Sequence, residues 1–114
     1  MYGEEKLSKH RYRELKHFCL QYPEFKYVYY ILDWACPSNG HDDPTSKIAT
    51  LKTDYGRAIE LIETTARDTS EEYQSYILKS VTRDVPLNAV GLDRDVLDAY
   101  RRKFFWLLHQ RKGI

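Results

Sequence analysis

From Val90 to Leu108 the chain reads Val90-Gly91-Leu92-Asp93-Arg94-Asp95-Val96-Leu97-Asp98-Ala99-Tyr100-Arg101-Arg102-Lys103-Phe104-Phe105-Trp106-Leu107-Leu108. This run limits the possible folds more than any other. An apolar segment stops at Gly91, and a glycine suits the left-handed residue just past a helix end. Asp93 is a strong N-cap for a helix running from Arg94 to about Arg111. Two helices joined by so tight a turn have the local pattern of a helix-turn-helix. At about 100° per residue, Leu97, Tyr100, Phe104, Leu107 and Leu108 share one face of the last helix. Asp95, Asp98 and Arg102 lie opposite, flanked by Lys103, with Arg94 and Arg101 at the boundary.

Helical periodicity also dominates upstream. Leu15, Phe18, Cys19 and Tyr22 repeat at i, i+3, i+4 and i+7, which marks one face of a helix from Glu4 to about Gln21. Pro23 fits the first turn of a second helix, where its missing N–H costs nothing. That helix runs from Glu24 to Ala35 and is rich in aromatic residues. Turn formers fill residues 37–43, and Asp43-Pro44 reads as the start of a long third helix whose stripe is Ile48, Leu51, Tyr55, Ile59, Ile62 and Ala66. Gly56 within it allows a close helix crossing. Thr69-Ser70-Glu71-Glu72 fits a capping box for a fourth helix. Pro86 breaks that pattern, leaving a short helical turn from Pro86 to Val90 before the last helix. The expected fold is all-α, a single domain over 1–114 of about five helices. Residues 1–68 supply the N-terminal helices and 69–114 the helix-turn-helix-like region.

Hydrophobic residues make up 42% and charged residues 31%, which suits a globular chain rather than a disordered one. Neither a signal peptide nor an apolar run long enough for a bilayer is present, and the two cysteines do not form a disulfide framework. The expected setting is the cytoplasm. Net charge is only +1, but residues 27–93 hold six Lys/Arg against eleven Asp/Glu, whereas residues 94–114 hold six against two. A basic end opposite an acidic middle orients a molecule in the field of a polyanion.

Catalytic patterns are missing. The five glycines stand apart, so no phosphate-cradling loop forms. Neither cysteine has the sequence setting of a nucleophile with a positioned base. The acid pairs Asp42-Asp43 and Glu71-Glu72 are explained by helix starts, where the dipole favours negative charge. His10, His17, Cys19, Cys36 and His41 lack zinc-ligand spacing, and Cys19 reads as a small core residue. The expectation is a non-enzymatic protein without cofactor or metal.

Two readings of function remain. In the first, Arg94, Arg101, Arg102 and Lys103 engage phosphates and base edges of double-stranded DNA, and Asp98 accepts from a cytosine amino group. The second starts from the aromatic residues. Phe105 and Trp106 project away from the Leu97–Leu108 face, so either the first two helices or a second copy of the chain must cover them. Together with Tyr29 and Tyr30 they define an expected interface, for a homodimer or for a protein such as host RNA polymerase. In that case the chain is a protein-interaction module that does not read DNA.

The sequences Leu15-Lys16, Tyr22-Pro23, Lys26, Asp43-Pro44-Thr45 and Arg57-Ala58-Ile59-Glu60-Leu61-Ile62-Glu63 resemble small phage and prophage regulators of the RinA/ArpU type. Tyr100-Arg101-Arg102-Lys103-Phe104-Phe105-Trp106-Leu107-Leu108 is similar to their C-terminal helix. The resemblance runs from residue 15 to residue 108 in short matches. It implies a transcriptional regulator of late phage operons, acting in the cytoplasm of a bacterial host. Its helix-turn-helix would be similar to region 4 of sigma factors. DNA contact carries over to Arg94, Arg101, Arg102 and Lys103.

Overall fold

The computed structural model describes residues 7–35, 43–83 and 91–113. Ser8 starts the first helix, α1 (Lys9–Leu20), by accepting a 3.1 Å hydrogen bond from the Arg11 N–H. Only Gln21 separates it from α2 (Tyr22–Ala35), and the Gln21 carbonyl accepts from the Phe25 N–H at 2.8 Å. Pro23 therefore sits in the first turn of α2, where no intrahelical partner is needed. The third helix, α3 (Asp43–Thr69), is 27 residues long. It is followed by α4 (Gln74–Arg83) and α5 (Arg94–Lys112). Among the described residues there is no strand, and the fold is all-α with five helices.

The capping box expected at residues 69–72 does not form, and α4 begins later, at Gln74. Thr69 does not start α4: it is the last residue of α3, and its hydroxyl donates back to the Thr65 carbonyl at 2.7 Å. Ser70 instead accepts from the Tyr73 N–H at 3.2 Å, closing the turn that leads into α4. A hydroxyl that can reach a carbonyl four residues back is drawn into the preceding helix. The short turn expected from Pro86 to Val90 lies outside the described residues.

The core joins all five helices. Leu15 and Cys19 of α1, Tyr22 and Phe25 of α2, and Ile62 and Ala66 of α3 meet Ile77 and Val81 of α4 and Phe104, Phe105 and Leu108 of α5. At 1.5 Å per residue α3 is roughly 40 Å long, and its two halves have different neighbours. The second half runs through this core. The first half lies antiparallel along α2, with Phe25 against Tyr55 (ring centroids 5.8 Å apart) and Asp33 paired with Lys52 at 2.5 Å. Between them Gly56 gives the expected close crossing, because a Cβ there would stand 3.1 Å from the Tyr29 ring. The α2–α3 hairpin thus forms an arm. The radius of gyration is 16.1 Å, against about 13 Å for a compact chain of this length.

Candidate nucleic-acid interface

The last half of α5 is held from several directions. From α1, the Arg11 guanidinium donates to His109 Nδ1 at 2.9 Å and to the carbonyls of His109 and Gly113. A cation at the last carbonyls satisfies acceptors that the helix leaves open and complements its dipole. Toward α3, Arg111 donates to the Thr65 hydroxyl at 3.1 Å and pairs with Asp68 at 2.5 Å. Arg111 first, and Arg67 after it, hold the Asp68 carboxyl below its ordinary range. The Lys112 ammonium lies 4.0 Å from the centroid of the Phe18 ring. Beneath these contacts Phe104 and Leu108 are fully buried.

The first half of α5 is fixed at its start and along one face, where Tyr100 packs against Tyr73 with ring centroids 5.4 Å apart. Gly91 has φ +94°, the left-handed conformation expected at the turn. Asp93 caps the helix, accepting from the Asp95 and Val96 N–H groups at 3.2 and 3.3 Å. Leu97 seats the helix in the interior. On the other side Arg94, Asp95, Ala99 and Arg102 are exposed, and Val96 is 38% exposed. This solvent-facing strip combines two guanidinium groups with small apolar contacts at the N-terminal end of a capped helix.

The structure divides the sequence-predicted DNA residues. Arg94 and Arg102 stand outward, and Arg102 pairs with Asp98 at 3.1 Å one turn back. Both members of that pair are largely exposed, so it is weak enough for Arg102 to exchange it for a phosphate. Lys103 is half-buried at the edge of the strip. Arg101 turns inward instead: its guanidinium lies 5.8 Å from the Phe105 ring centroid and reaches the Tyr12 hydroxyl at 3.5 Å, with Nε buried and unpartnered. Its boundary position on the helical wheel resolved toward α1.

A cleft lies between α2 and α4. Its lining includes Lys26, Lys79 and Arg83 together with Tyr22, Ser75, Tyr76 and Thr82, and no carboxylate lines it among the described residues. Tyr76 connects it to the turn before α5, because a Cβ at Gly91 would meet the Tyr76 ring at 3.8 Å. Tyr22 donates from the cleft wall to Glu63, and burial together with that carboxylate raises the phenol's pKa. Sequence reading passed over Lys79 and Arg83. Their spacing of four residues on α4 was the available signal.

The expected aromatic interface separates into covered and uncovered residues. Phe105 is 2% exposed and packs edge-on against Tyr12 at 5.1 Å, so the alternative of coverage by the N-terminal helices holds and Phe105 presents no surface to a partner. Trp106 is half-buried against His109, with ring centroids 5.5 Å apart. Tyr29 is half-buried against Gly56, with Lys52 Nζ 5.6 Å from its ring centroid. Tyr30 stands out into solvent. Cys19 is fully buried, and burial pushes its thiol up to about 12, so it is a core residue rather than a nucleophile. Cys36 and His41 lie outside the described residues, and no described helix is long and apolar enough to cross a membrane. No family model, curated protein or solved structure matches this chain.

Proposed function

We propose that this chain is a non-enzymatic transcriptional regulator of phage or prophage type that binds double-stranded DNA through the first half of α5. The reading rests on the unequal fastening of that helix. Its last half is clamped by Arg11, Arg111 and Lys112, while its capped first half is seated through Leu97 and Tyr100 and turns Arg94 and Arg102 outward. A helix anchored at its far end and on one face, with its N-terminal half open on the other face, is what a major-groove reader needs. In this reading Arg94 and Arg102 contact phosphates or guanine edges. The exposed Val96 and Ala99 offer apolar contact to thymine methyl groups, and Asp98 accepts from a cytosine amino group. Lys79 and Arg83 extend the cationic track along the flanking backbone. The likeness to RinA/ArpU-type regulators supports the same reading, with action in the cytoplasm of a bacterial host.

Fluorescence anisotropy with the DNA upstream of the gene, and with a random duplex, tests this at two salt concentrations. The expected result is preference for the upstream DNA, with affinity falling as salt rises because phosphate contacts release counterions. Arg94→Ala/Arg102→Ala should abolish the preference and lower the salt slope by about 2 if both residues engage phosphates. Absence of binding to any duplex at low salt would overturn the reading.

A further inference from the structure

Tyr27, Tyr30, Ile31 and Trp34 follow one another at i, i+3, i+4 and i+7 on α2, and they are 68, 68, 47 and 89% exposed. They occupy the side of the helix opposite Phe25 and Tyr29, which pack on α3. A helix that is apolar on two sides is ordinarily buried on both. With about 150–250 Å² available per aromatic side chain, these four residues offer on the order of 500 Å². The exposed Pro23 ring and the stems of Lys26 and Glu24 continue the surface. That brings the face to the range of the roughly 800 Å² that each partner contributes to a stable complex.

We propose that this face of α2 pairs antiparallel with the same face of a second copy, so that two α2–α3 arms close into a four-helix bundle. The charges at the edges of the face select this occupant. Lys26 and Asp33 are seven residues apart and so lie on the same edge of the helix. In an antiparallel pair related by a two-fold axis, each edge meets its own reversed copy. Lys26 then faces the partner's Asp33, and Asp33 faces the partner's Lys26, giving two symmetric opposite-charge pairs at the rim. Asp33 already holds Lys52 of its own chain and is exposed enough to accept a second cation, whereas a parallel arrangement places the Lys26 and Asp33 edge against the edge bearing Glu24 and sets Asp33 against a like charge. An anionic bilayer surface fits less well still, because membrane-surface helices border their apolar face with Lys and Arg, whereas Glu24 and Asp33 flank this one. The pairing stands independently of whether α5 reads DNA. If it does, the dimer carries two copies of α5 to two half-sites.

Sedimentation velocity on the full chain, over a concentration range from sub-micromolar to a few hundred micromolar, tests the pairing. The expected result is a concentration-dependent species of twice the 13.6 kDa chain mass. Tyr30→Glu/Trp34→Glu should remain monomeric throughout, with unchanged helical circular dichroism, because both side chains are exposed in the single chain. Trp34→Gln is the second variant, milder toward the helix, and should weaken the dimer at least tenfold. Lys26→Glu should weaken it severalfold at low salt, and this difference should shrink at high salt. A wild-type chain that stays monomeric at every concentration would overturn the proposal. So would a dimer that survives Tyr30→Glu/Trp34→Glu unchanged, or one indifferent to Lys26→Glu at low salt.

Discussion

Phe105 on α5 and Trp34 on α2 are both large aromatic side chains facing away from the main core stripe of their helix. Phe105 is nevertheless 2% exposed and Trp34 89%. The difference lies in what returns to cover them. Tyr12 closes over Phe105, and Arg11 of the same helix anchors the end of α5, so α1 covers the second apolar side of α5. On α2, α3 takes one side, and among the described residues Tyr27, Tyr30 and Trp34 remain exposed on the other. Two-sided apolarity in a helix therefore states that a second neighbour is needed, without stating whether that neighbour lies in the same chain.

The sharpest way to break this comparison is truncation on the covered side. Phe105→Ala should cost about 3–5 kcal/mol, because it leaves a cavity between α1 and α5. Thermal melting should show this as a fall of 10 °C or more, taking about 4 °C per kcal/mol as a lower figure. Alkaline titration probes the same core through Cys19. Its thiol titrates near 9.0 when free and is pushed to about 12 by burial. A raised folded value means that stability is fully present below pH 9 and is lost as pH rises from 9 toward 12. The loss approaches about 1.4 kcal/mol per pH unit in that window. Denaturant unfolding at mildly and strongly alkaline pH should show that decline, and Cys19→Ala should reduce it. Tyr22 and Tyr73, raised in the same sense, add to it.

Smaller effects belong to the edges. Asp93→Ala should cost about 1 kcal/mol through loss of the cap, with faster amide exchange at Asp95 and Val96 while the clamped end of α5 stays protected. Trp34→Ala, in dilute solution where the chain is monomeric, should change stability by no more than about 0.5 kcal/mol. A large loss there would mean that α2 has a covering neighbour within the chain, and the contrast with Phe105 would collapse.

Much of this fold is legible in the sequence because local chemistry writes it. The Gly91 turn and Asp93 each place a helix boundary through a hydrogen bond or a backbone conformation that few residues can supply, whereas the helix expected from Glu4 starts only at Lys9, where Ser8 caps it. The Leu15–Cys19 and Leu97–Leu108 stripes name their buried faces by spacing alone. What spacing does not contain is the choice between neighbours. Arg101 sits at the edge of two faces, and its guanidinium turns inward to the Phe105 ring and the Tyr12 hydroxyl. Thr69 and Ser70 both offer a capping hydroxyl, but Thr69 reaches back to Thr65 and Ser70 closes the turn at Tyr73, so α4 begins only at Gln74. The stripe Tyr27, Tyr30, Ile31 and Trp34 was readable as a second apolar face of α2. Seeing it as exposed required knowing that α3 takes the opposite side. Lys79 and Arg83 became part of a cleft only once α2 and α4 were side by side.

The most direct test of the account is amide exchange across the whole chain with and without a duplex carrying the upstream sequence. Added protection is expected at residues 91–103, extending to Lys79 and Arg83, with residues 27–34 unchanged by DNA. Protection confined to residues 27–34, with the first half of α5 untouched, would contradict it and move the binding surface from α5 to the arm.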